Sequence, residues 1–89
     1  MKLDVKVLGP GCAKCYALER NARAAVEVLQ QEQSGHELSL QHIEDIQEIS
    51  RYPILLTPAL VINEKVYCSG RIAKRDEIVT WLRTAAESS

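Results

Sequence analysis

No run of apolar residues in this sequence approaches the roughly 20 needed to cross a bilayer. The N-terminal stretch Met1-Lys2-Leu3-Asp4-Val5-Lys6 alternates polar and apolar residues and has no signal-peptide hydrophobic block. A reducing, cytoplasmic setting is therefore expected. A surplus of charge is also missing, since the formal net charge is -1. Nucleic acid and anionic membranes both select for a basic field, so neither is expected as a partner. Cysteine is sparse, with 3 residues among 89, too few and wrongly spaced for a disulfide framework. No internal repeat, linker or low-complexity segment interrupts the chain. These absences leave one domain over residues 1–89, expected to be monomeric. Hydrophobic residues at 46% and charged residues at 26% match a globule that folds without staples.

Within this frame the hydrophobic pattern changes period several times. Residues 3–8 read as a strand, with Leu3, Val5 and Val7 on one face. Gly9-Pro10-Gly11 is a turn. A helix follows over 13–31, where Cys15, Leu18, Ala22, Val26 and Leu29 fall on one stripe. Ser34-Gly35 marks a loop, and 37–43 alternate as a second strand. Asp45 caps a short helix predicted over 46–52, which Pro53 ends. Residues 59–62 and 65–69 form two strands around an Asn63-Glu64 turn, with Val66 and Cys68 expected on one face. A last helix is predicted over 74–87, burying Ile78, Trp81, Leu82 and Ala85, before a frayed tail. The order is β-α-β-α-β-β-α. The first two strands should be parallel with a right-handed crossover, and the last two should form an antiparallel hairpin. The fold class is α/β, a four-stranded mixed sheet flanked by helices.

The chemistry concentrates at Cys12-Ala13-Lys14-Cys15, where a strand ends and a helix begins. A helix N-terminus offers free N–H groups and a positive dipole end, and both stabilise the reactive thiolate. Two intervening residues bring the sulfurs within bonding reach across one turn. The helical stripe carries Cys15, so Cys15 should be buried. Cys12 precedes the stripe and should be accessible. Such a pair suits two-step exchange: Cys12 attacks a substrate disulfide, and Cys15 then attacks Cys12 and releases the reduced substrate.

Other residues read more plainly. Cys68 is expected to be a buried, inert thiol. His36 and His42 lie far from the cysteines in sequence, form no ligand pattern with them and read as structural. Lys14 reads as a solvated helix residue, and Arg71, Lys74 and Arg75 as a solvated face. Tyr16 follows Cys15 and is placed to shape the surface around it. By spacing alone, Pro58 is an ordinary trans loop residue, because only about 5–6% of X–Pro bonds are cis.

Taken together, Gly11-Cys12-Ala13-Lys14-Cys15 after strand one, Thr57-Pro58 before strand three and Gly70 after strand four resemble the thioredoxin-like superfamily. The likeness is strongest to its small archaeal and bacterial redox-active disulfide proteins, and it spans nearly the whole chain. It implies a thiol–disulfide oxidoreductase with Cys12 and Cys15 as catalytic residues and no bound cofactor or metal. It also implies that Thr57-Pro58 is cis with Pro58 beside the disulfide, and that the Thr57 backbone pairs with a bound substrate strand. Gly11, Thr57, Pro58 and Gly70 are then the substrate-contacting positions. The implied partners are disulfide-bearing proteins or small molecules and a disulfide reductase as electron donor. The sequence departs from thioredoxins proper, which carry Trp-Cys-Gly-Pro-Cys, and Ser69-Gly70-Arg71 departs from the glutathione-holding pattern of glutaredoxins. The alternative is a soft-metal carrier, since two thiolates at a loop-to-helix junction suit Cu(I) or Zn(II). Such carriers have methionine two residues before the first cysteine, where this chain has Pro10, and their order is β-α-β-β-α-β. A regulatory module that uses the redox state only as a switch is the third reading.

Overall fold

The computed structural model describes residues 2–11, 13–32, 35, 37–54 and 56–87. Cys12, His36 and Ser34 lie outside the described residues, and so does the expected tail at Ser88-Ser89. The elements run β1 (Lys2–Leu8), α1 (Ala13–Glu32), β2 (Glu37–Ile43), α2 (Ile46–Ile49), β3 (Ala59–Ile62), β4 (Lys65–Ser69) and α3 (Arg75–Glu87). The four strands are ordered β2-β1-β3-β4. β1 and β2 pair in parallel, from Lys2 opposite Glu37 to Leu8 opposite Ile43. β3 is antiparallel to both β1 and β4. This is the expected mixed α/β sheet.

Period-two alternation sorts the strands onto two faces. Leu3, Val5 and Val7 of β1, with Leu60 and Ile62 of β3, meet the helical stripes Leu18, Ala22, Val26 and Leu29 of α1 and Ile78, Val79 and Leu82 of α3. The opposite face carries a smaller cluster, in which Ile49 of α2 packs with Leu8, Ala59 and Val61. Among the described residues the buried set contains no polar or charged side chain. α1 is tied to the segment ahead of α3 by Asn21 Nδ2 donating to the Ala73 carbonyl at 2.9 Å, and to α3 itself by an Arg83–Glu32 ion pair.

Three expectations need correction. α2 ends at Ile49, earlier than the predicted 52. Its N-cap Asp45 accepts from the Gln47 N–H as expected. Beyond Ile49, however, Arg51 N–H turns to the Glu48 carbonyl and Tyr52 N–H to that of Ile49. These shorter i+3 bonds tighten the chain ahead of Pro53. Val66 and Cys68 do not share a face. The pairing slips between Leu60 and Val61, so that Leu60 faces Cys68 and Val61 faces Val66. That bulge adds one residue to β4 and resets its alternation. Cys68 and Tyr67 therefore join the main core while Val66 packs on the α2 side. Trp81 is only partly buried; its ring tilts against Tyr67 at 5.8 Å with the Arg71 guanidinium 5.7 Å away, and Val79 takes the buried position.

The Asn63-Glu64 turn forms without glycine. Both residues adopt positive φ, 50° and 68°, as a two-residue primed hairpin turn requires. Asn63 meets the cost by bonding Asp4 twice: its N–H donates to the Asp4 carbonyl and its Oδ1 accepts from the Asp4 N–H, each at 2.8 Å.

Candidate functional site

The C-terminal end of β1, the start of α1, the start of β3 and the end of β4 converge at one end of the sheet. This is the position where α/β folds commonly place their chemistry. Cys15 enters from the first turn of α1 and is fully buried. Its sulfur lies against the bare Cα of Gly9. A Cβ built on Gly9 would overlap Cys15 Sγ, would lie 3.1 Å from Cys15 Cβ and would lie 3.9 Å from Pro58 Cα. Gly9 is thus a seat that only a residue without a side chain provides, with Cys15 on it and Pro58 alongside. The Gly9 N–H donates to the Ile43 carbonyl at 3.0 Å, which fixes the seat to β2.

The remaining candidates frame this seat. The Thr57-Pro58 peptide is cis, as the resemblance implied and against the reading from spacing. Pro58 is buried and Thr57 exposed. The Gly70 N–H donates to the Pro58 carbonyl at 2.8 Å, and Gly70 takes a φ of 78°. Leu56 lies over it, so that a Cβ on Gly70 would come 2.9 Å from Leu56 Cδ1. Gly11 has a φ of 96°, reserved in practice for glycine. It lies beside Tyr16 and Glu44, whose hydroxyl and carboxylate are 3.3 Å apart. The first turn of α1 holds no acidic residue to oppose an anion at its N-terminus. Cys12 is next in the chain to both Gly11 and this turn and lies outside the described residues.

Sequence reasoning missed two residues here. His42 on β2 points to the same face as Leu38 and Leu40, beneath α1. Its Nδ1 is 2.6 Å from Glu19 Oε1, and its Nε2 is 3.1 Å from the Gly9 carbonyl oxygen. Tyr16 stands edge-on to the imidazole, with centroids 5.4 Å apart at 77°. Glu19 also accepts from Arg23 at 3.1 Å. Arg23 first, and His42 second, hold the Glu19 carboxyl below its ordinary value. Glu44 beside the Tyr16 hydroxyl pushes that phenol upward. A signal was present: His42 shares the parity of Leu38 and Leu40, and Glu19 follows Cys15 by one helical turn. Cys68, by contrast, is the buried thiol expected, and burial pushes its pKa up.

Comparison with known proteins bears on this arrangement. The family profile described as a thioredoxin domain matches residues 3–83. The chain belongs to the thioredoxin family. At family level its chemistry is thiol–disulfide oxidoreduction. A thioredoxin of Methanothermobacter thermautotrophicus is 30% identical over 76 residues, covering 85% of this chain and 92% of that protein. A thioredoxin of Methanocaldococcus jannaschii is 26% identical over 83 residues, covering 93% of this chain and 90% of its own. Among the described residues of this thioredoxin-family chain, no helix is long and apolar enough to cross a membrane.

Proposed function

We propose that this thioredoxin-family protein reduces or exchanges disulfides through a Cys12/Cys15 dithiol–disulfide cycle. The observation that carries the reading is the seating of Cys15. Its sulfur is buried on Gly9 beside Pro58, one helical turn past the residue that precedes α1. In that position Cys15 is withheld from bulk solvent, as a resolving thiol should be. Cys12 is the attacking thiol. The uncompensated N-terminal turn of α1 favours its thiolate. Attack on a substrate disulfide forms a mixed disulfide and releases one substrate thiolate. Cys15 then attacks Cys12 Sγ, the Cys12–substrate bond breaks, and the second substrate sulfur leaves as a thiolate.

Gly11, Thr57, Pro58 and Gly70 make the docking rim in this reading. Thr57 is exposed next to Pro58, and exposed Leu56 and Tyr16 add apolar surface. The partners are disulfide-bearing proteins or small molecules, with a disulfide reductase as electron donor, in the cytoplasm. No bound cofactor is required. The soft-metal alternative finds no support, since the family match is to a thioredoxin domain and the element order is not that of such carriers.

The test is a trap. The Cys15→Ser protein should retain disulfide substrates covalently on Cys12, and the Cys12→Ser protein should retain none. Cys12 should alkylate faster than a model thiol of pKa about 8.5 at neutral pH. Equal capture by both variants, or a Cys12 no faster than the model thiol, would defeat the reading.

A further inference from the structure

The rim at Gly11 carries a charge that the exchange chemistry does not use. β2 runs parallel to β1 and ends with Ile43 opposite Leu8, so the next residue, Glu44, emerges beside the Gly9–Gly11 turn. The Gly9 N–H, bonded to the Ile43 carbonyl at 3.0 Å, pins the two connections together. Glu44 Oε1 lies 3.3 Å from where a Cβ on Gly11 would stand, and it accepts from the Tyr16 hydroxyl at 3.3 Å. A carboxylate therefore flanks the residue that immediately precedes Cys12 in the chain. Both Glu44 and Tyr16 are exposed.

The neighbouring charges leave this one standing. Among the described residues no ion pair takes Glu44, whereas Glu19, Glu32, Glu64 and Glu77 each hold a cation. Lys14 stands two residues ahead of Tyr16 on α1, about 200° around the helix from it, and so faces away from the Tyr16–Glu44 side. Arg71, at the Gly70 end of the rim, is held by both oxygens of Glu77 at 3.1 and 2.9 Å. Asp45 is occupied in capping α2. The Tyr16 ring is set edge-on against His42, with centroids 5.4 Å apart, so its hydroxyl keeps a defined place beside Glu44. An exposed phenol ring next to a carboxylate suits a lysine or arginine side chain: the apolar stem lies along the ring and the cationic head reaches the carboxylate. An acidic group in the same place meets a like charge.

We propose, on the basis of the dithiol cycle above, that Glu44, steadied by Tyr16, sets the substrate preference of the Cys12 site. It selects polypeptide disulfides whose attacked cysteine is flanked by lysine or arginine, and it rejects those flanked by acidic residues. In the step it governs, the Cys12 thiolate bonds to the sulfur of the flanked cysteine. The substrate S–S bond breaks, and the other substrate sulfur leaves as a thiolate that solvent protonates. Cys15 then completes the two-electron reduction by displacing the flanked cysteine from Cys12. Glu44 holds the flanking cation throughout and exchanges neither proton nor electron. Tyr16 is a positioning residue that acts through Glu44.

The test compares three blocked dipeptide disulfides, the dimers of N-acetyl-lysyl-, N-acetyl-glutaminyl- and N-acetyl-glutamyl-cysteinamide. Attack by the reduced protein is timed by acid quench and mass spectrometry. Each rate is divided by that of mercaptoethanol on the same peptide, which removes the peptide's own reactivity. For unit charges about 4 Å apart, the normalised rates should fall about 5-fold from lysyl to glutaminyl and again to glutamyl. The span should narrow with salt, because the screening length drops from about 30 Å at 0.01 M to about 3 Å at 1 M. Glu44→Gln changes one exposed side chain and still offers an acceptor to Tyr16; with the charge gone, the span should fall below about 2-fold. Any effect of that change on the Cys12 thiolate moves all three rates alike and cancels in their ratios, as does a structural defect. A wild-type span that Glu44→Gln or salt leaves unchanged, or one below about 3-fold at low salt, overturns the selectivity and leaves the dithiol cycle standing. No attack on any of the three peptides overturns the dithiol cycle, and the selectivity with it.

Discussion

Replacing Gly9 by alanine tests the seat of Cys15 directly. Gly9 does not adopt the left-handed φ seen at Gly11 and Gly70. An alanine backbone is therefore admissible there. By itself it would stabilise the protein, by about 0.4–1 kcal/mol, through the unfolded chain. Against this, the new Cβ would fall under 3.0 Å from Cys15 Sγ and 3.1 Å from Cys15 Cβ. Restoring an ordinary separation of about 3.5–4.0 Å requires the sulfur to retreat by at least 0.5–1 Å. Cys15 is fully buried, and close-packed surroundings leave it nowhere to go. Overpacking of this kind costs about 1–3 kcal/mol, so the net loss should be about 1–2 kcal/mol. For a domain of this size the midpoint should fall by roughly 4–16 °C. Urea unfolding of wild type, Gly9→Ala, Cys15→Ala and the double variant gives the decisive quantity. Removing the sulfur should make Gly9→Ala cheaper, with a coupling of at least about 0.5 kcal/mol. A Gly9→Ala protein with wild-type midpoint, or a cycle with no coupling, would refute the packing argument.

Two further outcomes follow from the same structure. Gly70→Ala places a side chain at a φ of 78° and within 2.9 Å of Leu56 Cδ1. Leu56 is 64% exposed and its Cδ1 can swing away, but its Cβ, 3.0 Å off, cannot, so thermal unfolding should show a loss of at least about 1–2 kcal/mol from the backbone alone; an unchanged midpoint would contradict it. Glu77 accepts from Arg71 and from the Lys74 N–H at the start of α3, which lowers its carboxyl to about 2. Its folded pKa lies below the unfolded one, so its contribution is complete above roughly pH 4.5 and disappears as pH falls through about 2. Carbon-detected NMR should place the Glu77 midpoint near 2 in the native protein and move it up in Arg71→Ala; a midpoint in the usual carboxylate range would deny the pairing.

Much of this molecule is legible in its sequence because the relevant signals are local. Alternation in Leu3, Val5 and Val7 and the helical stripe from Cys15 to Leu29 identify β1 and α1. The Asp45 cap starts α2 where it does. The parallel and antiparallel pairings follow from the lengths of the connections. What escaped depends on contacts between distant segments. The bulge that turns Cys68 away from Val66 arises where β4 fits to β3, and nothing within Lys65–Ser69 announces it. The meeting of His42 and Glu19 requires the β1–β2 register that sets Val7 opposite His42, together with the rotation of α1 above the sheet. Spacing could not rank a lone histidine on a strand above an ordinary core residue. The isomer of Thr57-Pro58 likewise came from resemblance, because spacing favoured the trans form.

The two sides of the sheet are unequally loaded. One carries two long helices and nearly all of the core, whereas the other is closed by the single turn of α2 through Ile49. Local opening costs least where the fewest apolar atoms are uncovered, so the lighter side is the compliant one. Tyr52 and Ile54, in the turn that follows α2, pack on this lighter side, whereas Cys15 is carried by α1 in the heavier half and is fully buried.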